Sequence, residues 1–133
     1  MRLTINTDGG ARGNPGPAGI GVVVRDENNK VISGYKQYIG ETTNNVAEYK
    51  ALILGLQETH KMGATDVLVN MDSELVVKQM KGLYKIKEPG LQLLAGEVFK
   101  LIKNFHSINF NHVRREFNKE ADKLVNEAID NGR

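Results

Sequence analysis

The sequence predicts an α/β fold: one mixed, five-stranded sheet flanked by helices. Three observations carry this. The apolar pattern opens with three period-two stretches joined by turns, then alternates between strand and helix periods in the order βββαβααβα. Antiparallel strands followed by strands alternating with helices fit a mixed sheet under helical cover. The 133 residues suffice for one ordinary domain that buries roughly two-thirds of its unfolded surface, so a single domain over residues 1–133 is expected.

Residues Arg2 to Thr7 place Leu3, Ile5 and Thr7 on one side and Thr4, Asn6 and Asp8 on the other, with Asp8 expected to end the strand. The segments "GIGVVVRD" and "KVISGYKQYIG" flank "ENN", a connection of hairpin length, so strands two and three should pair antiparallel. Val46, Tyr49, Leu52, Ile53 and Leu56 follow at helical spacing, and Gly63 is the expected stop. "DVLVNMD" is a fourth strand ending in Asp72, behind which Ser73 can cap a short helix carrying Val76, Val77 and Met80. After the lysine-bearing "KGLYKIKE", Pro89 starts a helix whose apolar face is Leu91, Leu94, Ala95, Val98, Leu101, Ile102 and Phe105. "SINFNHV" is the fifth strand. The last helix carries Ala121, Leu124, Val125, Ala128 and Ile129, with Asn118 expected as its cap and Gly132 as its stop.

Hydrophobic content of 40% and charged content of 26% are ordinary for a soluble globular chain, and no apolar run approaches membrane-spanning length. The start lacks the apolar region of a secretory signal, and there is no cysteine for a disulfide or thiolate metal site. A cytoplasmic protein without membrane association is expected. The net charge of +2 and pI near 8.8 suit a nucleic-acid partner without arguing for one. No apolar stripe is left over once the helices are packed, so a monomer is expected.

The chemistry begins in "TDGGARGNPGPAG", where five glycines and two prolines crowd beside one carboxylate. Right-handed crossovers lay the strands of Asp8 and Asp72 side by side, so both acids share one rim. Glu48 and Asp122 sit in the first turns of two helices, each at the border of the apolar face, where they can reach that rim. Taken singly, each acid also suits a local task. Glu48 follows Asn45 at capping-box spacing, Asp122 complements a helix dipole, and Asp8 and Asp72 can bond turn amides. Together, four acids on one edge repel unless a cation holds them. Oxygen donors without sulfur point to hard ions, magnesium first and manganese next, and a pair of such ions suits phosphodiester cleavage. Glycines 9, 10 and 13 would let the backbone approach a sugar and phosphate, with Asn14 as an uncharged donor.

The motifs "TDGGARGNPGPAG", "TTNNVAEYKAL", "VNMDSELVV" and "HVRREFNKEADKLVNEA", in this order, identify a chain that resembles a type 1 ribonuclease H across essentially its whole length. The resemblance implies a ribonuclease H-like fold that cleaves the RNA strand of RNA–DNA hybrids, without sequence specificity, using two magnesium ions and leaving 5′-phosphate and 3′-hydroxyl ends. It places the metal-binding catalytic acids on Asp8, Glu48, Asp72 and Asp122. It also implies that the backbone at Gly9 and Gly10, with Glu48, Asn14 and Asn45, reads the 2′-hydroxyls of the RNA strand, and that Thr43 and Asn14 hold the DNA backbone. Ser73 either touches the RNA or caps its helix.

Two segments depart from the family pattern. Many members carry a histidine in the loop before the last aspartate, whereas this chain has "RREFNKE" there. Arg115 is the candidate replacement, steadying phosphate charge, with Arg114 as its rival and His112 read as a residue of the edge strand. Some members insert a tryptophan-bearing basic loop after the short helix; this chain has only Lys78, Lys81, Lys85 and Lys87, so weaker and more salt-sensitive hybrid binding is expected.

Three other readings are open. A binding module of the same fold would be expected to lack one of the acids. A phosphate-loop enzyme would need G-x-x-x-x-G-K followed by Ser or Thr ahead of a helix, which does not occur. Double-stranded RNA could be cut as well as, or in place of, a hybrid.

Overall fold

In the computed structural model, which describes residues 1–132, the elements follow in the expected order: β1 (Arg2–Ala11), β2 (Gly16–Arg25), β3 (Val31–Thr42), α1 (Asn44–Lys61), β4 (Asp66–Met71), α2 (Glu74–Met80), α3 (Pro89–Ile102), β5 (Ser107–His112), a three-residue 3-10 turn (Arg115–Phe117) and α4 (Lys119–Gly132). The sheet is ordered β3-β2-β1-β4-β5. β1 pairs antiparallel with β2 and parallel with β4, with Thr7 opposite Met71. Asp8 and Asp72 each follow one of these paired residues, and so stand as neighbours where the pairing of β1 with β4 ends.

Apolar patterning explains the layers. One face of the sheet carries Leu3, Ile5, Val22, Val24, Val67 and Val69, all at most 2% exposed, under Tyr49, Leu52 and Leu56 of α1 and Val98 of α3. Burial of each such side chain contributes roughly 1.5–3 kcal/mol before entropy is counted. α4 covers the other face with Ala121, Val125, Ala128 and Ile129. Here the approach is close. A Cβ on Gly19 would lie 2.8 Å from the Val125 carbonyl oxygen, and one on Gly21 would lie 2.5 Å from that of Ala121. Only glycine in β2 lets the helix backbone sit this low. With cover on both faces, β1 is buried throughout its middle instead of alternating between core and solvent.

The boundaries differ from expectation at the end of β1 and at the start of α1. β1 does not end at Asp8; pairing of Asp8–Ala11 with Ala18–Gly21 carries it on to Ala11, so Gly9 and Gly10 are strand residues. The true turn, with a cis Asn14–Pro15 bond, is closed by the Arg12 amide donating to the Pro17 carbonyl at 2.8 Å. α1 starts two residues before its first apolar position because Thr43 Oγ1 accepts the Val46 amide at 3.2 Å. Gly132 is the last described residue of α4, and Gly63, at φ +86°, follows the end of α1 as expected. No helix among the described residues is long and apolar enough to cross a membrane.

Candidate active site

A cleft of about 590 Å³ opens at the rim where β1 and β4 end, between the N-terminal turns of α1 and α4. Asp8 enters from β1, Asp72 from the residue after β4, Glu48 from α1 and Asp122 from α4. Oxygens of Asp8, Glu48 and Asp72 lie within 4.8 Å of one another. Asp122 stands outside this tight set but within hydrogen-bonding reach of Asp8. Glu48 is anchored by the Gly9 amide, which donates to its Oε1 at 2.6 Å. The capping task considered for Glu48 goes to Thr43, two residues ahead of Asn45, so the Glu48 carboxylate serves the cleft instead of its own helix end.

Electrostatics follow from crowding in a poorly solvated place. Asp8 and Glu48 are 7% and 6% exposed. Burial first, then the charges of Asp72 and Asp122, push the Asp8 carboxyl up to about 8. Glu48 is raised well above its ordinary range by burial and by the Asp8 charge. Asp72 is raised less sharply, since a hydrogen bond from Asn118 and the positive charge of Arg115 offset its burial. Such a group of acids either holds protons or holds cations.

Of the other predicted residues, Gly9, Gly10, Asn45, Ser73 and Arg115 line the cleft. Thr43 and Asn14 do not; both bind the head of α1, Asn14 Oδ1 accepting the Asn44 amide at 3.1 Å. Ser73 caps α2, its Oγ accepting the Val76 amide at 3.3 Å. Arg115 reaches to 4.0 Å of Asp122, whereas Arg114 turns to Glu116 at 3.6 Å, which separates the two rivals. His112 closes the edge strand β5 opposite Met71. Lys78 is engaged by Glu74 at 2.7 Å and by the Tyr84 ring at 5.0 Å, leaving Lys81, Lys85 and Lys87 as the lysines of that loop.

Sequence reading missed four residues here. Arg12 and Asn44 line the cleft, Arg12 tied to Asp130 at 2.6 Å and Asn44 Oδ1 accepting the Ala11 amide at 2.8 Å. Asn126, one turn after Asp122, donates to the Asp122 carbonyl at 3.1 Å, and its i, i+4 spacing was the available signal. Asn118, expected as a helix cap, turns its side chain inward to β1.

Comparison with known proteins places this geometry. A family model described as reverse transcriptase-like matches residues 6–128. The bifunctional protein Rv2228c of Mycobacterium tuberculosis is 49% identical over 98% of this chain, which spans only 36% of that protein's length. A crystal structure of LC11-RNase H1 in complex with RNA/DNA hybrid superposes with a TM-score of 0.94 at 50% identity, covering 98% of each chain. RNase H1 from the halophilic archaeon Halobacterium salinarum superposes with a TM-score of 0.96 at 37% identity, over 98% of this chain and 99% of that one.

Proposed function

From a chain that belongs to the type 1 ribonuclease H family, we propose an endoribonuclease that hydrolyses the RNA strand of RNA–DNA hybrids, with residues 1–133 as one catalytic domain. The observation that carries this is the convergence of Asp8, Glu48 and Asp72 oxygens within 4.8 Å, with Asp122 against Asp8, in an open cleft. Burial and mutual repulsion raise the affinity of these acids for a positive partner, and an all-oxygen donor set fits hard divalent ions. Asp8, Glu48, Asp72 and Asp122 would hold two magnesium ions, or manganese in their place. When bound, such ions supply an activated water and steady the departing oxygen, consistent with 5′-phosphate and 3′-hydroxyl products.

The chain's own residues do the rest. Gly9 and Gly10 present bare backbone beside the acids, and Glu48 and Asn45, which line the same cleft, would read the 2′-hydroxyl that separates RNA from DNA. Asn14 and Thr43, at the head of α1, are set back from the acids and suit a DNA phosphate, which positions without reading sequence. Arg115 faces Asp72 and Asp122 from the solvent side, where its guanidinium can neutralise phosphate charge as the strand is cut.

The test is cleavage of end-labelled hybrid, RNA duplex and DNA duplex with magnesium, manganese or chelator, comparing wild type with Asp8→Asn. Cation-dependent cutting of the hybrid RNA alone, lost in the variant, is expected. Tight hybrid binding with no cutting under any cation would make the protein a binding module, and equal cutting of duplex RNA would widen the substrate class.

A further inference from the structure

Beneath the carboxylates lies a pair of buried side-chain amides that no step above uses. Asn118 is 1% exposed and Asn6 8%, and neither lines the cleft. Asn6 Nδ2 donates to Asn118 Oδ1 at 3.1 Å, and Asn118 Nδ2 donates to the Thr7 carbonyl at 3.0 Å. The Asn118 side chain also stands near enough to the Asp72 carboxylate to hold that carboxyl down against its burial. Its backbone carbonyl accepts the Asp122 amide at 3.0 Å. One residue thus touches β1 just before Asp8, the acid that follows β4, and the first turn that carries Asp122.

An asparagine amide has two faces, and only one way round serves here. With its oxygen accepting from Asn6, its nitrogen is turned to Thr7 and Asp72, both acceptors. The flipped amide would set its oxygen against the Thr7 carbonyl oxygen and leave the buried Asn6 donor unpaired. Asn6, two residues before Asp8 on the same side of β1, therefore selects the orientation that Asp72 needs. A plain helix cap would turn the Asn118 side chain to the amides of α4. It does not do so.

We propose that Asn118, held in turn by Asn6, is the positioning residue of the acidic site, setting Asp72 and Asp122 against Asp8 so that their oxygens stand ready for cations. This rests on reading the cleft as a cation-dependent active site. Groups that orient metal-binding side chains without touching the metal commonly change affinity 10–100-fold when removed.

The experiment is calorimetric titration of manganese into hybrid-free wild type, Asn118→Ala, Asn6→Ala and the double variant, with thermal unfolding and hybrid KM at saturating cation measured alongside. Asn118→Ala is expected to weaken manganese binding by about tenfold or more. Asn6→Ala should weaken it less, and the double variant no more than Asn118→Ala alone, because Asn6 acts through Asn118. The hybrid KM should stay near the wild-type value. Wild-type manganese affinity in both single variants, with only a lower melting temperature, would make the pair merely structural and overturn the proposal. If Asn118→Ala does not fold, Asn6→Ala, which leaves Asn118 in place, decides alone. Wild type that neither binds manganese nor cuts hybrid would sink the reading of the cleft itself, a separate failure.

Discussion

The amide of Gly9 donates to Glu48 Oε1 at 2.6 Å across a gap that admits no side chain: a Cβ on Gly9 would lie 2.5 Å from the Glu48 backbone nitrogen and nearer still to the Ala47 carbonyl. Strand and helix touch backbone to backbone at the point where the acidic rim begins. Gly9→Ala must therefore push α1 away from β1. We expect a loss of about 2–4 kcal/mol in stability together with loss of hybrid cleavage, because the bond that sets Glu48 breaks. Urea unfolding and single-turnover cleavage measure both, and a stable, active Gly9→Ala would show that the two backbones can part.

Asp8 carries the pH signature of the site. In the cation-free folded chain its carboxyl holds a proton up to about pH 8, whereas the unfolded chain releases it near the ordinary value of 3.8. Between these values the folded state binds more protons, so this group's contribution to stability falls as pH rises from about 4 to about 8. Asp8→Asn removes that loss. With chelator present, the variant should melt several degrees above wild type at pH 9 and show a smaller advantage at pH 5. Added magnesium should raise the wild-type melting temperature more than that of the variant. A gap that narrows with rising pH would contradict the raised carboxyl.

At the opposite end of β4 the sign reverses. Asp66 accepts from Ser107 Oγ at 2.5 Å, from His106 Nδ1 at 3.2 Å and from Thr65 Oγ1 at 2.9 Å. These donors, Ser107 foremost, hold its carboxyl down at about 2. Its stabilising effect is complete above the unfolded value near 4 and disappears as pH falls through about 2. Asp66→Asn should lower the urea midpoint at pH 6, and the difference from wild type should close by pH 2. A difference independent of pH would mean that packing, not charge, is responsible.

Arg115 and Arg114 are adjacent and equally charged, yet only Arg115 faces Asp72 and Asp122. Arg115→Ala should lower kcat on hybrids about tenfold. This is less than the loss of a buried charge-stabilising donor, because Arg115 is solvent-exposed. Arg115→Lys should recover part of the loss, and Arg114→Ala should stay near wild type. Equal effects from both alanine variants would reduce Arg115 to a general electrostatic contribution.

Much of this site was legible because it rests on local rules. Period-two and helical spacing located β1, β4, α1 and α4, and the handedness of crossovers put Asp8 beside Asp72. What escaped depends on distant pairing. β1 reaches Ala11 only because β2 returns to pair with it, and Thr43 rather than Asn45 heads α1 because of where its hydroxyl falls. Asn118 looked like a helix cap because the partners that claim its side chain, Asn6 and Thr7, lie more than 110 positions away. The 3-10 turn that carries Arg115 has no apolar period to betray it.

The two sides of the cleft are mounted on opposite layers of the molecule. Glu48 belongs to the layer that holds the larger apolar core, whereas Asp122 and Asn118 come with α4, seated on the bare backbone of Gly19 and Gly21. The ties from α4 and its leading turn back to β1 span separations of 111 and 112 residues, among the most remote closures in the chain. Contacts between residues this far apart in sequence carry a large closure entropy and slow folding. Detachment of α4 alone would disarm the cleft while the opposite core stayed intact. The acidic cleft is thus complete only when the two ends of the chain have closed on each other.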